Sequence, residues 1–169
     1  MSIKKRIWIV NYYTSSNSSN PRYIEFADNF IEKGYDVITF NSSVAEKIEI
    51  TSGNFLEKEY SKKKFVHVRS PKYVGNGLKR ILSIFLFAWR LFTGCKQFPK
   101  PDVILFNVHT PFDYPIMWMA KRLKVPFIAE AWDLWPEFFV SFGLIRKNNP
   151  AMKVAYWLEK RLYMQAKQI

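Results

Sequence analysis

The sequence is poor in the residues that build disulfide frameworks and metal clusters. It contains one cysteine, Cys95, and two histidines among 169 residues. A single cysteine excludes an internal disulfide and fits a reducing compartment. One cysteine with two histidines also does not make a zinc site, so we predict no metal centre.

A long apolar run is also missing. The longest run, Ile81–Phe92, is interrupted by Ser83 and Arg90 and is shorter than the roughly 20 residues that cross a bilayer. The basic start, Met-Ser-Ile-Lys-Lys-Arg, is not followed by the apolar segment of a secretory signal. We therefore expect neither a transmembrane helix nor a cleaved leader.

Acidic residues are absent from residues 61–101, which contain ten lysines and arginines in a chain of net charge +12. Such a block attracts a polyanion, and nucleic acid, an anionic membrane surface or a phosphorylated substrate would each fit. The alternative is a solvated basic face that only aids solubility. The nucleic-acid interpretation rests on charge alone, because no nucleic-acid-binding module is recognisable. We expect no nucleic-acid partner.

Apolar residues make up 49% of the chain, which is enough for one domain with a sizeable core. Apolar runs and helical periodicities alternate along it, and this alternation predicts an α/β fold with a doubly wound parallel sheet and helices on both faces. Residues 41–61 are polar and mixed in charge, and we expect little regular structure there. The predicted strands are residues 6–11, 35–40, 65–69, 102–107 and 126–131, and the predicted helices are residues 21–34, 78–92, 111–124 and 150–166.

The loops at the carboxyl ends of parallel strands meet at one edge of a sheet, so we expect a site there. The first loop, Tyr12–Asn20, lacks the glycine patterns of dinucleotide sites and P-loops, but its hydroxyl, amide and backbone N–H groups can hold a phosphate or a sugar. The loop at 72–77 and the loop Asn107–Pro111 are further candidates. The last, Pro126–Glu137, is a strand that runs into Trp-Asp-Leu-Trp-Pro-Glu.

Among the candidate side chains, His109 follows a predicted strand, where it can contact a ligand hydroxyl, transfer a proton or serve only as a cap. His67 lies inside a strand, which favours a structural role. Asp133 and Glu137 are four residues apart and are either a catalytic pair or carboxylates at a helix start. Trp132 and Trp135 line a ligand site or pack.

Three stretches together resemble family-4 retaining glycosyltransferases, in particular the sugar transferases of bacterial O-antigen and capsule synthesis. They are Lys-Pro-Asp-Val-Ile-Leu-Phe from Lys100, Val-Pro-Phe-Ile-Ala-Glu-Ala-Trp-Asp-Leu-Trp-Pro-Glu ending at Glu137, and Trp-Leu-Glu-Lys-Arg-Leu-Tyr from Trp157. The resemblance implies one half of a GT-B fold, which consists of two Rossmann-like domains facing a cleft. Residues 1–169 would be the N-terminal, acceptor-side domain, and the C-terminal nucleotide-sugar-binding domain would be absent.

The resemblance implies an enzyme that moves a sugar from a nucleotide-sugar to a lipid-linked or polysaccharide acceptor, for the synthesis of cell-surface glycans. No cofactor is expected, because the nucleotide-sugar is a co-substrate bound mainly by the other domain. This half alone would not turn over. The alternative is a non-catalytic, membrane-recruiting subunit that completes a two-chain transferase.

The implied catalytic residues are His109, Asp133 and Glu137. His109 would contact the transferred sugar, and the two carboxylates would shape the acceptor side. The implied substrate-binding residues come from three of the carboxyl-end loops: Thr14, Ser15, Ser16, Asn17, Asn20, Asn107, Thr110, Trp132 and Trp135. Two features depart from the family: the first loop lacks its usual glycine pair, and Trp132 stands where an arginine is usual.

Residues 72–92 are similar to the membrane-facing segment of that family. Phe85 and Trp89 would enter the interface while Lys79, Arg80 and Arg90 meet anionic headgroups. The resulting expectation is a cytoplasmic protein held peripherally on the inner face of the plasma membrane. In the alternative, this helix simply packs on the sheet.

Overall fold

The computed structural model describes residues 4–17, 21–75, 77–108, 113–132, 135–143 and 145–169, without the side chain of Phe138. Six strands are present: β1 (Arg6–Val10), β2 (Asp36–Ser42), β3 (Phe55–Tyr60), β4 (Lys63–Val68), β5 (Val103–Val108) and β6 (Phe127–Ala131). The helices are α1 (Arg22–Glu32), α2 (Leu78–Gly94), α3 (Tyr114–Leu123), α4 (Glu137–Ser141) and α5 (Pro150–Tyr163), and a 3₁₀ turn spans Cys95–Gln97.

The strands form one sheet in the order β3-β4-β2-β1-β5-β6. All neighbours are parallel except β3, which pairs antiparallel with β4. The chain winds from β1 outwards to β2 and β4, then crosses back to β5 and β6. The structure confirms the doubly wound α/β fold that the alternation of strands and helices predicts.

Each face of the sheet packs against helices, because successive side chains of a strand point to opposite faces. On one face, Tyr23 and Ala27 of α1 pack on Ile7, Ile9 and Val37. The larger core lies on the other face, between α2, α3 and the apolar side chains of the central strands. It includes Trp8, Phe40, Val66, Phe87, Leu91, Phe106, Ile116 and Leu162.

The expectation of little regular structure in residues 41–61 is wrong for its second half. Phe55–Tyr60 forms β3, and the two-residue turn Ser61–Lys62 joins it to β4. Glu57, Lys58 and Glu59 are exposed on this outer strand, so its apolar residues do not form the continuous run that marks a buried strand. Both turn residues are left-handed, with φ of +49° at Ser61 and +67° at Lys62.

The remaining predicted elements differ from the structure mainly at their ends, and the short helix α4 was not predicted. On α5, Met152, Ala155 and Leu162 are buried. Gln168 then makes an isolated parallel bridge to Ile128 of β6. Among the described residues, no helix is both long enough and apolar enough to cross a membrane.

Candidate functional site

The carboxyl ends of β1, β5 and β6 lie side by side, since these strands are parallel neighbours. Asn11 directly follows β1, Asn107 lies near the end of β5, and Glu130 lies opposite Asn107 in β6. The first turn of α1 lies at the same edge, because its side chains contact Glu130. We call this group of residues the carboxyl edge.

Glu130 is the centre of the carboxyl edge. Its carboxylate forms an ion pair with Arg22 and accepts a hydrogen bond from the Tyr23 hydroxyl. The Asn107 side-chain amide donates to the backbone oxygen of Glu130 at 3.2 Å. Burial raises the pKa of Tyr23, and the hydrogen bond to Glu130 raises it further, so this phenol stays protonated as a donor.

An aromatic side chain covers this group. The Trp132 ring stacks on the Tyr23 ring at a centroid separation of 5.7 Å and an interplanar angle of 15°. The Arg22 guanidinium lies 5.4 Å from the Trp132 ring centroid and 5.4 Å from that of Phe26. Trp132 keeps 45% of its surface exposed. Position 132 therefore carries an aromatic ring beside a cation that α1 supplies.

The Asn107 side-chain oxygen is a buried acceptor without a hydrogen-bond partner among the described residues. Asn107 as a whole is 2% exposed. Buried polar groups in folded proteins are nearly always paired, because an unpaired one loses its hydration without compensation. A side-chain carbonyl oxygen can accept from a hydroxyl, so this atom can bind an O–H donor of a ligand.

The first loop is held by its own side-chain contacts. The Asn11 side-chain oxygen accepts from the backbone N–H of Tyr13 at 2.7 Å and of Thr14 at 3.0 Å. Both the backbone N–H and the hydroxyl of Ser16 donate to the Glu46 carboxylate. These three N–H groups, which the sequence offered as donors to a phosphate or sugar, are thus used internally.

Among the other predicted residues of this loop, Thr14 is buried, and its carbonyl accepts from Asn41 at 2.8 Å. Ser15 is half-buried and Asn17 is exposed. Asn20 lies outside the described residues.

The other predicted site residues fall into two groups. His109, Thr110 and Asp133 lie outside the described residues, so their roles stay predictions. Glu137 begins α4, and its carboxylate accepts from the Tyr156 hydroxyl of α5. Trp135 packs edge-on against Phe139 at 5.4 Å. In the described part of the chain, Glu130 rather than Glu137 is the residue whose carboxylate binds α1 and whose backbone oxygen accepts from Asn107.

His67 is fully buried in β4, which agrees with the structural role that its position predicts. Its Nδ1 lies 2.6 Å from the Asn41 side-chain oxygen, an acceptor, so Nδ1 carries the proton. Its Nε2 then accepts from the Tyr60 hydroxyl at 3.4 Å. Burial lowers the pKa of His67.

Helix α2 has apolar side chains both on the side that packs on the sheet and on the opposite side. Ser83, Ile84, Phe87, Ala88 and Leu91 pack into the core, while a second apolar stripe faces outwards. We call this stripe the α2 face; it contains Leu78, Leu82, Phe85, Trp89 and Phe92, and Trp118 of α3 contacts Phe92.

The three cations predicted to meet headgroups differ from one another. Lys79 is exposed. The Arg80 guanidinium donates to the Tyr13 hydroxyl at 2.9 and 2.7 Å and lies over its ring, which ties α2 to the first loop. Arg90 donates to the backbone oxygen of Arg69. Two of the three therefore fix neighbouring loops.

Sequence reasoning missed Asn11, Arg22 and Tyr23, and it named Glu130 only as part of a loop. A usable signal was present, because Asn11 follows a buried strand and Arg22 and Tyr23 open the next helix. Where the chain is described, no three histidine, cysteine, aspartate or glutamate side chains lie close enough to hold a metal ion.

Neither a scan against models of known protein families nor a search of curated proteins finds a match. Solved structures do match. Sucrose-phosphate synthase from Thermosynechococcus elongatus superposes with a TM-score of 0.58 and 10% identity, over 96% of this chain and 41% of that one.

Two other matches are similar in extent. The glycosyltransferase of kitacinnamycin gives a TM-score of 0.51 and 18% identity, over 93% of this chain and 40% of that one. The trehalose-6-phosphate synthase of E. coli, solved with UDP-2-fluoroglucose, gives a TM-score of 0.51 and 11% identity, over 95% of this chain and 38% of that one. The fold thus matches the Rossmann-like halves of GT-B glycosyltransferases, and the chain spans about 40% of the length of these proteins.

Proposed function

We propose that this chain is the acceptor-binding half of a two-domain retaining glycosyltransferase. The complete enzyme moves a sugar from a nucleotide-sugar to a lipid-linked or polysaccharide acceptor in cell-surface glycan synthesis. The observation that carries the proposal is the match of 96% of this chain to 41% of a solved glycosyltransferase. The nucleotide-sugar is a co-substrate held mainly by the other half, and the reaction uses no cofactor.

The carboxyl edge is the acceptor side in this proposal. The unpaired oxygen of Asn107 accepts a hydroxyl of the acceptor sugar, and the exposed part of Trp132 offers an apolar surface to its C–H groups. Arg22 and Tyr23 hold the Glu130 carboxylate in place beside them. His109 and Asp133 remain predicted contacts of the transferred sugar and the acceptor. Transfer needs the other half, because groups that stabilise the leaving nucleotide are not expected here.

Saturation-transfer NMR of the purified chain tests this assignment with two kinds of probe. Methyl glycosides of glucose, galactose and mannose stand for the acceptor, and UDP stands for the donor. We expect signals from at least one glycoside, and we expect that any signal from UDP does not depend on Asn107, because the donor is held mainly by the other half. Asn107→Leu should abolish the glycoside signal, whereas Asn148→Leu, which changes an exposed asparagine, should keep it. Binding of UDP with no glycoside signal would contradict the acceptor role.

We also propose that the α2 face docks on an anionic membrane surface, which would bring the carboxyl edge to a lipid-linked acceptor on the cytoplasmic side. Apolar side chains exposed in one stripe of a helix are characteristic of interfacial helices. Leu82 is 52% exposed and Trp89 39% exposed. The exposed Lys79 lies one helical turn before Leu82 and supplies attraction to acidic headgroups.

Flotation with phosphatidylglycerol vesicles tests this docking. Trp89→Ser should reduce the bound fraction, because it removes an aromatic anchor from the α2 face. Trp157→Ser is the matched control, since Trp157 is an exposed tryptophan on α5. Equal loss in both variants, or no vesicle binding by the wild-type chain, would contradict membrane docking.

A further inference from the structure

The opposite end of the sheet contains a basic cleft that the proposed transferase function does not use. It has a volume of about 500 Å³ and lies where β1 and β2 begin, next to the turn between β3 and β4. Four cationic side chains from two segments line it together with one carboxylate from a third: Lys4, Arg6, Lys62, Lys64 and Asp36. We call it the amino-edge cleft.

Two of these cations are held in position. Asp36 pairs with Arg6 Nε at 2.6 Å through one oxygen and with Lys64 Nζ at 3.0 Å through the other. Arg6 also donates to the Lys100 backbone oxygen at 3.4 Å. A guanidinium has five N–H donors, and these contacts engage two of them. One carboxylate thus orders two cations while it neutralises only one charge.

The backbone supplies an independent reason to regard Lys62 as functional. Ser61 and Lys62 form a two-residue hairpin turn in which both are left-handed, with φ of +49° and +67°. Turns of this kind favour Asn-Gly, because other side chains are strained at positive φ. Strained positions that persist in a fold tend to be functional. Here the strained turn places a lysine at the cleft.

The neighbouring lysine shows that the arrangement is selective. Lys63 bonds to Asp28 of α1 at 2.8 Å and does not line the cleft. Lys62 and Lys64, on either side of it, do. The three consecutive lysines therefore divide between a structural ion pair and the amino-edge cleft.

We propose that the amino-edge cleft binds an anion that carries phosphoryl groups, either a soluble phosphate compound or a lipid headgroup. Several cations around one cleft match a multiply charged group, and an arginine with donors to spare suits phosphate oxygens. Tyr35 adds an aromatic wall that can contact the rest of such a molecule. This site is separate from the carboxyl edge and does not depend on the transferase proposal.

Calorimetric titration with pyrophosphate, at ionic strength fixed with sodium chloride, tests the site. Lys62→Gly should weaken binding by about tenfold, because it removes one charge-assisted contact. The same change should raise Tm by about 2 °C, because glycine relieves the strained φ. A lysine that served only the fold would show the opposite pattern, with lower Tm and unchanged binding.

Ser61→Gly is the matched control, since it relieves the same turn without touching a cleft charge. It should raise Tm in the same way and leave the affinity for pyrophosphate unchanged. Equal affinity of the wild-type chain and Lys62→Gly for pyrophosphate, or no saturable binding in the wild type, would exclude a site for soluble phosphate compounds. A site for a lipid headgroup is then tested by flotation.

Flotation with phosphatidylglycerol vesicles distinguishes the two sources of the phosphoryl group. If Lys62→Gly lowers flotation below that of Ser61→Gly, the ligand is a lipid headgroup. If only pyrophosphate binding changes, the ligand is a soluble phosphate compound. If neither measurement separates the two variants, the amino-edge cleft is not an anion site.

Discussion

At the carboxyl edge, side chains from different elements bind one another around Glu130, whereas at the amino-edge cleft cations surround an open cleft. Both ends contain one carboxylate with two partners. Glu130 is paired with Arg22 and a buried tyrosine, and Asp36 is paired with Arg6 and Lys64. The partners differ between the two ends, so the loss of the carboxylate should have a different effect on stability at each end.

The same pairing of a carboxylate with two partners has a different energetic value at the two ends. A buried hydroxyl that loses its acceptor keeps its full desolvation cost, whereas exposed ion pairs are screened by water and salt. The carboxyl edge should therefore be more sensitive to truncation and less sensitive to salt than the amino-edge cleft.

The largest effect is expected from Glu130→Ala. It leaves the buried Tyr23 hydroxyl without its acceptor and should lower the free energy of unfolding by about 2 kcal/mol. Urea denaturation measures the loss. Glu130→Gln keeps an acceptor for Tyr23 and should lose less. If alanine and glutamine at this position are equally destabilising, the tyrosine contact is not what stabilises the carboxyl edge.

We expect an intermediate effect on stability from a change of pH, because His67 is buried in β4. Burial lowers its pKa, so the folded ring stays neutral while the unfolded chain takes up a proton near the ordinary value of 6.5. The stabilisation is therefore complete above pH 6.5 and is lost as the pH falls towards the folded pKa. The charges that act on the ring are Glu46, which raises this pKa, and Lys58, which lowers it further.

Urea denaturation across this pH range should show a loss of stability on acidification in the wild-type chain. His67→Gln removes the titrating ring, so its stability should depend less on pH in the same range. A wild-type profile with the same slope as the variant would contradict the role assigned to His67.

The smallest effect is expected from Asp36→Asn, which removes the carboxylate of the amino-edge cleft. The burial of Asp36 opposes ionisation, but hydrogen bonds to Lys64 and Arg6 lower its pKa overall. The ionised carboxylate therefore stabilises the fold at pH values above its ordinary pKa of 3.8. Its partners are partly exposed, and we expect a loss of less than about 1 kcal/mol at neutral pH. The loss should shrink as salt is added. A larger loss than that of Glu130→Ala would show that the Asp36 pairs are not the weaker ones.

Buried strands of this fold such as β1 and β5 could be predicted because their sequences are almost entirely apolar. Arg6–Val10 and Val103–Val108 are nearly continuous apolar runs, interrupted only by Arg6 and Asn107, as is typical of strands covered on both faces. Strand β3 could not be recognised, because an outer strand needs apolar residues on part of one face only and its charges interrupt the pattern. The position of the site at the strands' carboxyl ends also followed from topology.

The contacts within the site could not be predicted. Arg22 and Glu130 are separated by 108 positions in the sequence, and nothing local to either residue indicates the other. The engagement of the first loop with Glu46 has the same origin, since it depends on how the segment after β2 turns back. Side-chain partners across a sheet edge follow from three-dimensional packing, whereas strand order follows from periodicity.

The charged outer strand has a consequence for the behaviour of the protein at high concentration. Strand β3 lies at one end of the strand order, and the end strands of sheets can recruit strands from other molecules. Its exposed Glu57, Lys58 and Glu59 would have to be dehydrated and aligned with a neighbour before another chain could pair there. At the other end of the sheet, Gln168 already pairs beside β6. The same three charges that hid β3 in the sequence thus protect the folded chain against aggregation.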